Sequence, residues 1–260
     1  MKAAIKADVD RARTAANALL NEYGIKRPEE IDLEAIAFAQ GIEIRESNLK
    51  GAEAWLIRAG KRGIIRVRND VGVPGRRNFS IGHELGHWKL HPGLSQEWVC
   101  STGDVHGYRG SAVENEANAF SAELLMPKFM FRPYCQRFPL GFQLIDKLAH
   151  LFRTSIVATA IRAVEETKEQ AVLVVSDGEV VSWCRTSDSA RRYFVPRGTR
   201  LDQDTRAWLA TLEDTESMAT IEPSVWFPEL KDLHRLELFE GSRHIESFGT
   251  VITLISINEY

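Results

Sequence analysis

Two histidines four residues apart, with a glutamate following the first, stand within a run of helical spacing from Asn78 to His91: His83-Glu84-Leu85-Gly86-His87. On a helix, positions i and i+4 lie one turn apart on the same face, so the two imidazoles can take adjacent corners of a tetrahedral Zn2+ site. Glu84 falls about 100° further round, where it can address a water on the metal but cannot join the histidines as an equivalent ligand. It is the candidate general base. Phe79, Gly86, His87 and Leu90 share a face with His83, while Ile81, Leu85 and Trp88 fall opposite, so this helix is apolar on both sides and must be buried. Burying two imidazoles and a carboxylate without a compensating partner is costly. The chain must therefore fold around a helix that carries a polar, metal-binding cluster in its interior.

A zinc site with an open position needs a third protein ligand. His91 is four residues beyond His87, but it lies about 12 Å along the axis from His83, and three successive turns cannot converge on one tetrahedral ion. It reads as a cap or dipole partner at the helix C-terminus. Glu114, in the helical run from about Ala112 to Met126, is the better candidate. It shares an apolar face with Ala117, Ser121, Leu124 and Leu125, whereas Glu116 and Glu123 fall about 180–200° away. Glu114 thus completes a His83, His87, Glu114 set with the fourth position left to water, and Asn118, one turn on, can orient a ligand from behind. On this geometry, loss of His91 or Glu116 leaves zinc binding intact.

Composition excludes several alternatives. With 44% hydrophobic and 27% charged residues in 260, the chain is an ordinary globular protein rather than a disordered one. Lys+Arg 33 against Asp+Glu 36 gives a net charge of −3, so no overall positive field holds nucleic acid or an anionic membrane. Cys100, Cys135 and Cys184 are widely spaced and form no CxxC pair, which fits reduced thiols packed as small hydrophobes. Charges at Lys6, Asp8, Asp10, Arg11 and Arg13 interrupt any signal-peptide core, and no stretch is apolar for long enough to span a bilayer. These features place the protein in the cytoplasm, away from membranes.

The remaining pattern predicts an α+β fold. Helices are expected over about Ala3–Tyr23 and in LEAIAFAQ, capped by Asp32, followed by three strand-like runs, Ile42–Arg45, Ala54–Ile57 and Ile64–Arg68, in a small antiparallel sheet. A loop of about twenty residues follows Pro92-Gly93, and PKFMFRPYCQRFP reads as a connector. Two further helical runs, GFQLIDKLAHLF and SIVATAIRAVEET, precede strands flanking Asp177-Gly178, a hairpin signal, and a buried strand in VITLISI. The expected division is 1–135, 136–168 and 169–260.

RRNFSIGHELGHWKLHPG followed by ENEANAFSAELLMP resembles the ImmA/IrrE family of zincin metallopeptidases, and the likeness extends over about residues 1–165. The resemblance implies a zincin-like metallopeptidase domain with zinc held by His83, His87 and Glu114, Glu84 as base, and a helix-turn-helix repressor as the substrate whose cleavage derepresses stress or mobile-element genes. It also implies that 136–168 is a helix-turn-helix-like segment and that 169–260 is a C-terminal αβ, GAF-like regulatory domain. The helical segment carries Lys147, Arg153, Arg162 and Lys168 against Asp146, Glu165, Glu166 and Glu169; this balance argues against direct DNA binding. GIIRVRN is the candidate edge strand for substrate pairing, and His106, Tyr108 and Arg109 are candidate oxyanion donors. The rival reading is a non-catalytic regulatory protein that binds a repressor or DNA around a structural zinc. The intact Glu84 counts against it, because a structural site is closed by four protein ligands and needs no acid beside the histidines.

Overall fold

The computed structural model describes residues 6–49, 51–69, 74–93, 97–101, 111–210 and 215–260. His106, Tyr108 and Arg109 lie outside the described residues. The fold is α+β, and the chain divides into two compact units, Met1–Met130 with Ala149–Ser155, and Phe131–Leu148 with Ile156–Tyr260.

In the first unit, α1 (Val9–Glu22) is capped by Asp8, whose side chain accepts from the Arg11 N–H, and α2 (Leu33–Ala39) by Asp32, which accepts from the Ala35 N–H. Both caps satisfy amides that a helix start leaves without partners. Strands β1 (Ile42–Ser47), β2 (Ala52–Ala59), β3 (Arg62–Arg68) and β4 (Glu97–Ser101) form one sheet in the order β1-β3-β2-β4. The sheet is mixed, not antiparallel as expected. β2 and β3 form a hairpin, with Gly60 at φ +60 in the turn, whereas β1 joins the far side of β3 in parallel register, Ile42 opposite Gly63 and Ile44 opposite Ile65. Consecutive β1 and β2 are therefore not neighbours but have β3 between them, and GIIRVRN sits in the middle of the sheet with no free edge for a substrate. The long loop expected after Pro92-Gly93 contains β4, which pairs antiparallel with β2.

Helices α3 (Pro74–Leu90) and α4 (Ala112–Leu125) pack on one another, α4 also meets α1, and α3 lies on β2 and β3. Every residue from Ser80 to His87 is buried, as the two-sided apolar pattern requires. Gly82 and Gly86 make the close approach possible. A Cβ on Gly82 would lie 2.5 Å from Ser121 Oγ, and one on Gly86 would lie 3.1 Å from Ala117 Cα. α3 is also tied to the sheet at both ends. Glu53, fully buried on β2, takes an ion pair from Arg76 and accepts from Ser80 Oγ at 3.0 Å, while Arg58 donates to the carbonyls of His87 and Trp88.

The segment expected to be a connector is helical instead: α5 (Lys128–Arg137) begins just after Pro127 and accommodates Pro133. Its first turn needs no amide partner from within the helix, and the Lys128 N–H donates to Glu123. α6 (Phe142–Phe152) and α7 (Ile156–Glu166) follow, with Arg153 at φ +53 between them.

The second unit is built on a five-stranded, wholly antiparallel sheet in the order β6-β5-β9-β8-β7. The strands are β5 (Gln170–Asp177), β6 (Val180–Thr186), β7 (Thr215–Ile221), β8 (Leu236–Ile245) and β9 (Thr250–Glu259). The expected hairpin at Asp177-Gly178 joins β5 to β6, with Gly178 at φ +55, and VITLISI lies within β9 at the sheet's centre. Short helices α8 (Arg206–Leu209) and α9 (Pro223–Trp226) belong to the covering segment between β6 and β8, and Tyr193, Val195, Trp226 and Phe227 pack with Val172, Val174, Leu238 and Ile255 in one core. Glu240 is buried among them and accepts from the Arg206 N–H and from Trp226 Nε1.

Candidate metal centre

α3 presents His83 and His87 one turn apart, and the Ser111 side chain caps α4 by accepting from the Glu114 N–H, which fixes the turn that carries the carboxylate. The close contact of the two helices at Gly86 and Ala117 brings these residues together. His83 Nε2 and His87 Nε2 are 3.0 Å apart, and Glu114 places Oε2 3.1 Å from His83 Nε2 and Oε1 3.4 Å from His87 Nε2. The three side chains are buried and offer one ligand atom each within 4.8 Å of one another.

The donor set fits a metal ion. Bonds of about 2.0–2.1 Å to a tetrahedral ion put neighbouring ligand atoms about 3.3–3.4 Å apart, close to the separations found. The outer nitrogens are also engaged. His83 Nδ1 is 2.9 Å from Asn118 Oδ1, an acceptor, so the ring proton sits on Nδ1 and the Nε2 lone pair faces the cluster. Burial opposes charge on His83, but the Glu114 hydrogen bond and the charges of Glu84 and Glu114 hold it above its ordinary pKa. His87 is lowered, by burial first and by the neighbouring His83 and His91, against the pull of Glu114. Glu114 stays well below the usual carboxylate range in spite of burial, because the imidazoles of His83 and His87 stand directly against its carboxylate. Two imidazoles and an ionised carboxylate aimed at one point suit zinc and other first-row divalent ions.

Glu84 is buried beside His83, close enough for its charge to act on that ring. His91 follows the last residue of α3 and lies against His87, its Nδ1 at 3.1 Å from His87 Nδ1. Glu116 and Glu123 stand on the side of α4 away from Glu114, as the helical wheel has them. Both are buried, since the side of α4 that the wheel turns away from α3 is covered by α1: Glu116 takes Arg11 and the Asp8 N–H, and Glu123 takes Asn17 Nδ2. Glu53 escaped the sequence reading altogether, although an acid set between Ala52 and the apolar Ala54 and Trp55 of a strand is a signal of a buried charge with a partner.

Residues 37–164 match the family model of the Peptidase_M78, IrrE N-terminal-like domain. The chain carries a Peptidase M78 domain. The M78 match begins inside α2 and runs into α7, so it includes His83, Glu84, His87 and Glu114 and leaves out α1. Its family is one of metallopeptidases, in keeping with the His83, His87, Glu114 cluster. No curated protein matches the chain. Among solved structures, a Mycobacterium tuberculosis transcriptional regulator is similar, with a TM-score of 0.61 at 16% identity over 95% of this chain and 76% of that one. The likeness beyond the M78 domain is one of fold.

Proposed function

We propose that the protein is a zinc-dependent endopeptidase that cleaves a helix-turn-helix transcriptional repressor in the cytoplasm and so derepresses stress or mobile-element genes. The reading rests on one observation above others: the convergence of His83, His87 and Glu114 with Glu84 buried alongside. His83, His87 and Glu114 would hold the ion, and Asn118 keeps His83 in the tautomer that can bind it. When bound, zinc supplies Lewis-acid polarisation of the scissile carbonyl and acidifies water. Glu84 takes a proton from the attacking water and passes it to the leaving amine. The buried walls of α3 and α4 exclude bulk solvent, which strengthens the charge interactions made there.

A regulatory protein as substrate is supported by the M78 assignment and by the similar fold of a mycobacterial transcriptional regulator. Every residue of α7 is at least partly buried, which leaves it without an exposed face for a DNA groove. Among the described residues no helix is long and apolar enough to cross a membrane. The division 1–135, 136–168 and 169–260 assigns the last part, whose antiparallel sheet has a core of its own, to a GAF-like controller of cleavage.

Zinc content and cleavage of candidate repressors by wild type and Glu84→Gln test the reading. Both proteins should carry zinc, and the variant should lose about 10²–10⁴-fold in cleavage rate. Cleavage by Glu84→Gln at the wild-type rate would refute the peptidase assignment.

A further inference from the structure

Behind His87 a chain of hydrogen bonds runs away from the cluster to the far side of α4. His87 Nδ1 is 3.1 Å from His91 Nδ1, His91 Nε2 is 3.0 Å from Glu116 Oε2, and Glu116 is held by the Arg11 guanidinium and, at 2.9 Å, by the Asp8 N–H. His91 and Glu116 are nearly enclosed, with side chains 8% and 9% exposed. The proton arrangement follows from what each atom can do. The Glu116 carboxylate only accepts, so His91 carries its proton on Nε2 and offers the Nδ1 lone pair. His87 must then donate through Nδ1, which leaves its Nε2 lone pair turned towards His83 and Glu114. The opposite arrangement, with His91 Nδ1 donating, would put a proton on His87 Nε2 and block it as a ligand.

We propose that His91, Glu116 and Arg11 form a positioning relay that fixes the tautomer and orientation of His87, so that α1, which lies outside the M78 match, is part of the metal centre's support. The relay rests on the assignment of His87 as a metal ligand. It reverses the expectation from the helical wheel that His91 and Glu116 are dispensable for zinc binding. That expectation took account of α3 alone, whereas the opposite side of α4 is built against α1.

The relay is tested by zinc competition against a chromophoric chelator and by visible spectra of the Co2+-substituted full-length protein, with thermal unfolding of the metal-free protein as the measure of fold. His91→Phe and Glu116→Ala should each weaken zinc binding by about 10–100-fold and shift the Co2+ bands. Glu116→Gln, whose amide oxygen still accepts from His91, should recover part of the loss, and Arg11→Ala should show a smaller one. Glu123→Ala is the control: Glu123 also ties α4 to α1, through Asn17, but lies outside the relay, so it should lower thermal stability and leave zinc affinity and Co2+ bands unchanged. Wild-type affinity in both His91→Phe and Glu116→Ala, or an equal loss in Glu123→Ala, would overturn the relay while the metal site stands. Unweakened binding in both His83→Ala and Glu114→Ala would overturn the metal site itself and the relay with it.

Discussion

Gly86→Ala isolates the contact that sets the distance between the two ligand-bearing helices. In an ordinary helix interior this change stabilises by about 0.8–1.0 kcal/mol, because glycine loses more backbone freedom on folding. Here the new methyl would meet Ala117 Cα at 3.1 Å, Ala117 O at 3.2 Å and Phe120 Cβ at 3.2 Å, against about 3.5–4.0 Å for an unstrained carbon contact. Two of the three atoms are backbone and cannot rotate away, so α4 must retreat by about 0.4 Å to restore contact distance. Overpacking of this kind costs about 1–3 kcal/mol, and with the propensity gain the net loss is about 0–2 kcal/mol. The larger effect falls on the metal. Glu114 lies three residues before Ala117 on α4, and a displacement of about 0.4 Å exceeds the roughly 0.2 Å tolerance of metal–ligand distances, so zinc affinity should fall by on the order of tenfold. Gly82→Ala is the internal comparison: its methyl would meet mainly Ser121 Oγ, at 2.5 Å, and that hydroxyl can rotate at the cost of its 2.8 Å bond to the Phe79 carbonyl, about 0.5–1.5 kcal/mol. Denaturant unfolding of metal-free protein and zinc competition measure the two quantities separately. Full stabilisation by Gly86→Ala with unchanged zinc affinity would refute the close-contact argument.

Three further outcomes follow from the packing. Arg76→Ala leaves the buried Glu53 carboxylate without its guanidinium, and removal of one partner of a buried pair costs about 3–5 kcal/mol; a denaturation midpoint equal to wild type would show that the pair does not anchor α3. Burial pushes Glu240 above the ordinary carboxylate range, against the two N–H groups it accepts from. The folded state therefore holds that proton to higher pH than the unfolded chain, so stability is greatest below the unfolded value and is lost as pH rises through the raised one. Glu240→Gln should flatten that slope in denaturant melts between about pH 4 and 8, and an unchanged slope would remove the assignment. The Cys135 thiol is pushed up to about 12 by burial and by the charge of Glu166, so mass spectrometry after iodoacetamide treatment should find it alkylated only once the protein is unfolded. Rapid labelling of Cys135 in the folded protein would contradict its burial.

The metal cluster was legible because its signals are local. His83 and His87 announce themselves by spacing, and Glu114 stands out as the acid on the apolar stripe that faces another helix. The burial of Glu116 and Glu123 lies beyond a helical wheel for a physical reason: the wheel describes one helix against one partner, and α4 has two. β1 was placed antiparallel because short links between strand-like runs usually make hairpins, while parallel pairing depends on a crossover that no local pattern records. The same limit hid β4, whose pairing partner β2 lies far back in the chain. α5 was concealed by Pro133, a residue that argues against a helix unless tertiary packing outweighs the lost amide. Gly82 and Gly86 could be read as helix weakeners, and only the position of Ser121 and Ala117 reveals that they are spacers.

The place of β9 has a consequence for synthesis. β9 lies between β5 and β8, with Val172 opposite Ile255 on one side and Leu238 opposite Ile257 on the other, yet it follows the other four strands of its sheet in the sequence and so leaves the ribosome after them. Until then the β5–β6 hairpin and the β7–β8 pair each expose an unpaired edge, along β5 a mostly apolar one, the arrangement most prone to join with another chain. The first unit needs no such wait, since its sheet and the α3–α4 pair are complete by Leu125. Nascent chains arrested before Thr250 should accordingly have a formed metal-binding half and a C-terminal half dependent on chaperones, with translation rate, rather than core stability, setting the yield of soluble protein.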